Sequence, residues 1–145
     1  MDTEQANNSY NKGIYKKMVD NPLPPMTLRI GVAGHRDLSK VDMQRLREEI
    51  KTTYTDINDA VQQIATDEIA KSIYAKNTTP VIRIISSLAE GADRLCIEPN
   101  IVPFRYELAC IFPFPKKEFE QDFLPEQSVI DRQKGTVDEF SAILA

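Results

Sequence analysis

The chain has no tryptophan, a single histidine, two cysteines and only five glycines among its 145 residues. His35 with Cys96 and Cys110, which lie in separate segments without a CxxC pair, cannot assemble a Cys/His zinc set. Two isolated thiols fit a reducing compartment, and a domain of this length buries roughly two thirds of its unfolded surface, so its core requires no disulfide. No apolar run approaches a membrane span, and the opening MDTEQANNSYNKG lacks the basic start and apolar stretch of a signal peptide. The expectation is a cytoplasmic protein without a membrane partner. Cations are also short: 18 Lys and Arg face 22 Asp and Glu, a formal charge of -4. A broad phosphate-counting surface is therefore excluded, and with it duplex nucleic acid as a partner. Neither a metal nor a resident cofactor is expected.

What is present is one globular domain behind a polar arm. Residues 1–26 are polar and end in Pro22, Pro24 and Pro25, which reads as an arm outside the core. From Thr27, TLRIGVAG is a short apolar run entering a turn of small residues, a first strand. Ser39 or Asp37 can then cap a helix whose apolar positions recur at Met43, Leu46, Ile50, Tyr54, Ile57, Val61 and Ile64. Carried through to Tyr74 this helix would span about 50 Å, and its phase slips after Ile64, so two helices or one bent helix are expected. VIRIISSL is a second, β-branched strand, and LAEGADRLC a turn entering a short helix. YELACIF, from Tyr106 to Phe112, is a third strand closed by Pro113, and KKEFEQDF a charged amphipathic turn or helix. The segment from Glu126 to Ala145 reads as helix interrupted at Gly135.

Strand, helix, strand, helix, strand predicts an α/β fold: a three-layer Rossmann-like sandwich on a mainly parallel sheet, occupying residues 27–145. Three strands are few for a doubly wound sheet, and the chain closes on the uncapped apolar text FSAILA. The fold is therefore expected to continue beyond Ala145. A sheet this narrow leaves an open edge and face, for which a homodimer is the expected remedy.

Two turns carry the chemistry. Gly34, His35 and Arg36 follow the first strand, where a glycine lets the backbone approach a ligand and the next two side chains offer hydrogen bonds or charge. The spacing is neither GxGxxG nor a P-loop, and the bland alternative has Gly34 making the turn while Arg36 pairs with Asp37 or Asp42. Ser86, Glu90, Gly91, Ala92, Asp93 and Arg94 follow the second strand, on the same sheet edge as the first turn. There Asp93 can read ribose hydroxyls, or be a buried partner of Arg94 or Arg36. Glu48 with Glu49, and Asp67 with Glu68, are solvated helix faces. No GxSxG elbow surrounds Ser86.

The text RIGVAGHRDL, then VIRIISSLAEGADRL, then YELACIFPFPKKEFEQDF resembles the SLOG superfamily. This Rossmann-like group includes LOG phosphoribohydrolases, the DNA-processing protein of natural transformation and nucleotide-sensing domains of bacterial conflict systems. The resemblance spans Thr27 to Phe123. It implies a pocket for a nucleotide or nucleotide-derived small molecule at the strand ends, with Gly34, His35 and Arg36 on one loop and Ser86, Glu90, Gly91, Ala92, Asp93 and Arg94 on the other. The PGGxGT loop of the LOG enzymes is missing from this chain, so the expected role is binding or sensing, and no residue is assigned as catalytic. The alternative is an N-glycoside hydrolase acting on nucleoside monophosphates, with Arg36, Glu90 and Asp93 positioning ribose phosphate and water. A DNA-binding role has the net charge against it.

Overall fold

The computed structural model describes residues 23–145, so most of the arm predicted over 1–26 lies outside the described residues. Residues 23–26 are tied to the domain: Pro24 O accepts from Ala75 N at 2.9 Å and Met26 O from Val81 N at 2.8 Å. The elements run β1 (Thr27–Gly31), α1 (Met43–Ala65), α2 (Glu68–Ile73), β2 (Val81–Ser86), α3 (Ala92–Leu95), β3 (Glu107–Cys110), α4 (Lys116–Phe119), a 3-10 turn (Glu120–Phe123) and α5 (Val137–Ile143). The three strands form one all-parallel sheet in the order β1-β2-β3, with Ile30 beside Ile84 and Ile84 beside Leu108. The α/β, Rossmann-like expectation holds. No helix among the described residues is long and apolar enough to cross a membrane.

The helical break predicted after Ile64 falls where the chain places Thr66 and Asp67, with the Asp67 side chain accepting from Ile69 N at 2.7 Å to start α2. The first cap differs from expectation. Asp42 caps α1 through Arg45 N at 3.1 Å, whereas Asp37 instead accepts from Ser39 N at 2.9 Å in a local turn upstream. The third strand is shorter than its apolar text, because Phe112 turns away to join an aromatic cluster with Phe119 and Phe140. The segment 126–145 is helical only over α5. Asp131 bends the preceding chain by accepting from Gln133 N and Lys134 N, and Gly135, at φ +72°, delivers Thr136 N to Phe123 O at 2.8 Å.

Strand alternation sets which face is core. Ile82, Ile84 and Ser86 of β2 are buried, and Ile84 shares one cluster with Ile30, Leu108, the α1 residues Ile50 and Tyr54, and Phe119, Phe123 and Phe140. The opposite face carries the row Arg29, Arg83 and Glu107, with Arg83 paired to Glu107 at 2.6 Å. That face is open at Gly31, where an added Cβ would meet nothing within 4 Å.

Candidate ligand-binding site

The two predicted turns meet. Ala92 N donates to His35 O at 3.1 Å, and Gly91, at φ +78°, packs so closely that a Cβ would stand 2.2 Å from Arg36 O and 2.4 Å from His35 O. A Cβ on Gly34 would lie 2.4 Å from the Ala92 Cβ. Glycine at 34 and 91 thus serves a tight seam between the loops that follow β1 and β2.

The second loop is braced from within. Ser86 Oγ accepts from Leu88 N at 3.0 Å, which supports the left-handed backbone of Leu88 (φ +62°) while its side chain enters the core. Asp93 is buried, and its Oδ2 accepts from Ser87 N at 3.2 Å and Ser87 Oγ at 2.7 Å. Among the described residues no donor reaches its Oδ1. Asp93 pairs with neither Arg94 nor Arg36; the hydroxyls of the loop hold it.

Glu90 has a different role. Its side chain is wholly buried, with Oε1 accepting from Ser128 Oγ and Thr136 Oγ1, both at 2.5 Å, and Oε2 from Val129 N at 2.9 Å and Arg36 Nη2 at 3.0 Å. Burial alone would raise this carboxyl, but the four donors outweigh it and hold Glu90 below the usual carboxylate range. Arg36 therefore pairs not with Asp37 or Asp42 but with Glu90, and also donates to Asp122 O at 2.8 Å. Arg94 is buried too. Its Nε donates to Leu88 O at 3.0 Å, its Nη1 to Glu139 Oε2 at 2.7 Å, and its guanidinium lies 4.5 Å from the Phe123 ring centroid.

The seam separates two openings. One is a groove of about 600 Å³ at the carboxyl ends of the strands, lined by Gly31–Gly34, Ile85–Ser87, Ala89, Asp93 and Ile111. The other is a cavity of about 350 Å³ between the start of α1, α3 and the 129–139 segment, whose walls include Arg36, Gly91 and Arg94. Of the predicted residues, Gly34, Ser86 and Asp93 reach the groove, Arg36, Gly91 and Arg94 the cavity, and Glu90 neither. His35 is exposed, and Ala92 backs Gly34. A third opening of about 500 Å³, between α1, α2 and the 75–80 loop, sits at the other end of the strands and holds none of them.

Ser128, Thr136 and Asp122 were invisible to sequence reading. They come to Glu90 and Arg36 only through the path of the chain after β3, and no local motif marks them. No group of three or more His, Cys, Asp or Glu that could hold a metal occurs among the described residues. Burial pushes both the Cys96 and the Cys110 thiols up, away from nucleophilic use.

Comparison with known proteins finds no matching family model, no matching curated protein and no matching solved structure.

Proposed function

We propose that the chain binds a nucleotide or nucleotide-derived small molecule in the groove at the carboxyl ends of β1 and β2, as a sensor or binding module. The observation that carries the reading is Asp93: a buried carboxylate on the groove wall, fixed through Oδ2, whose Oδ1 accepts nothing from the described protein. A fixed carboxylate with a spare oxygen at a strand end is the group that accepts from a ribose diol in dinucleotide-binding sheets. Backbone chemistry supports the same ligand. The amides of Ala33, Gly34 and His35 donate to no group among the described residues, and an oxyanion can be held by such consecutive N–H groups. Gly31 leaves space beside Ile85 and Ile111 for a flat apolar body such as a base. The resemblance to SLOG proteins points the same way.

The groove wall carries Asp93 and no cation, so the ribose is the anchor and phosphate a secondary contact. Glu90 is structural in this reading, as its four donors leave it facing neither opening. Thermal shift against AMP, ADP-ribose, NAD, cyclic nucleotides and ribose 5-phosphate tests the proposal, because ligand at 100 times its Kd adds about 2.7 kcal/mol. A rise in Tm for one compound that Asp93→Asn abolishes is expected. No shift across the panel in a cooperatively melting sample, or a shift that Asp93→Asn leaves intact, overturns the reading.

A further inference from the structure

On the far side of the seam, the cavity of about 350 Å³ is walled in part by Arg36 and Arg94, and each of these carries one buried nitrogen, Arg36 Nε and Arg94 Nη2, without a hydrogen-bond partner among the described residues. Both guanidinium groups lie against the Phe123 ring, at 4.5 and 5.9 Å from its centroid. Arg94 is 5% exposed, so water does little for its idle N–H. Leaving a charged donor buried and unpaired is costly, and native proteins rarely do so twice in one place without a reason.

The acids around this cavity are already committed. Glu98 pairs with both terminal nitrogens of Arg47, Asp37 accepts from Ser39 N, and Glu139 accepts from Arg94 Nη1. What remains is donor capacity. Glu139 differs from the others in being 56% exposed on α5, against 5% for the arginine it meets. An exposed carboxylate holding one nitrogen of a buried arginine is an exchangeable partner, since water solvates it well when it leaves.

We infer that this cavity is a second ligand site, separate from the nucleotide groove, and that it takes the oxyanion of a small molecule, a carboxylate or a phosphate, on Arg94. The incoming group displaces Glu139 and engages Arg94 Nη1 and Nη2 together, in the bidentate geometry that guanidinium favours. Arg36 Nε supplies a further donor. Leu38, Met43, Leu95 and Ile130 line the rest of the space and receive an apolar body attached to the oxyanion. Glu139 occupies the site in the absence of ligand and sets a threshold for binding.

The test uses the whole chain and known probes: inorganic phosphate, and the monocarboxylates acetate, butyrate and hexanoate, each titrated calorimetrically against sodium chloride at matched ionic strength. Saturable binding by phosphate alone identifies a phosphate ester as the ligand class, and by carboxylates strengthening with chain length, a carboxylic acid. Two variants at exposed positions locate the site without touching either arginine. Glu139→Gln removes the competing charge and tightens binding about threefold to fivefold, the size of one exposed ion pair. Ile130→Glu puts a carboxylate at the mouth and weakens binding by about the same factor or more. Titrations indistinguishable from chloride, or affinities that neither variant moves, overturn the inference. Asp93→Asn, which tests the groove, leaves this binding unchanged, so the two readings fail separately.

Discussion

Replacing Glu90 by glutamine exchanges one oxygen for an NH2 group where the side chain has no exposure and every neighbour is a donor. If Nε2 takes the place of Oε2 it faces Arg36 Nη2 and Val129 N. If it takes the place of Oε1 it faces two hydroxyls. Thr136 Oγ1 can rotate to accept, but Ser128 Oγ already accepts from Ile130 N and Asp131 N. Removing one member of a buried ion pair costs about 3–5 kcal/mol. Arg36 is 34% exposed, so water recovers part of this, and about 3 kcal/mol is the expected loss at pH 7. Such a loss is a large part of the 5–15 kcal/mol typical of a domain and lowers Tm by roughly 10 °C. The assay is urea unfolding of both proteins from pH 7 down to pH 3. Because folding lowers the Glu90 carboxyl below its usual 4.5, its contribution is complete above that value and is lost as the pH falls through the depressed one. Glutamine has no proton to gain, so the gap between the proteins closes on acidification. A gap under about 1 kcal/mol at pH 7, or one that stays constant to pH 3, refutes the assignment of Glu90 as the charged hub.

Gly34→Ala should destabilise by about 2 kcal/mol through the Ala92 methyl, and Ala92→Gly in the same chain should recover part of that loss in thermal melts. If the double variant is no more stable than Gly34→Ala alone, the seam is not where the clash arises. Gly91→Ala combines φ +78° with contacts of 2.2 and 2.4 Å to backbone oxygens, so a loss of about 3 kcal/mol is expected, and an unchanged Tm contradicts the close packing. Cys96 and Cys110 should react with iodoacetamide at pH 8 at least about fivefold more slowly than glutathione does, and equal rates would show that burial is not holding the thiols protonated.

The strand and helix text was legible because it depends on period. Ile82, Ile84 and Ser86 alternate with Val81, Arg83 and Ile85, and the α1 stripe runs in steps of three and four until Ile64. The meeting of the two turns was legible from the parallel order alone, since both must lie at the carboxyl ends of neighbouring strands. The partners of those turns were not. Arg36 offered Asp37 and Asp42 nearby in sequence, yet it pairs with Glu90, 54 residues on, because the chain after β3 folds back over Glu90 and half-buries Arg36. The 126–136 stretch has helical composition, but Asp131 and Gly135 spend their backbone preferences on a turn that presents Ser128 and Thr136 to Glu90. The cap of α1 lies at Asp42 rather than at Ser39 or Asp37, because local hydrogen bonding alone cannot rank neighbouring polar side chains that each face a free amide.

The Glu90 hub also dictates an order of events in folding. Its bonds span 54, 38 and 46 residues, to Arg36, Ser128 and Thr136, so none of them can lower the free energy until long loops have closed. The β1–β2–β3 sheet and α1 can associate on apolar contacts earlier, with the Glu90 side chain still hydrated. During synthesis the full set of donors to Glu90 is present only once Thr136 has followed Arg36, Ser128 and Val129. Substitutions at Ser128 or Thr136 should accordingly speed unfolding more than they slow folding, so that the lifetime of the assembled loops is governed by the stretch of chain that follows β3.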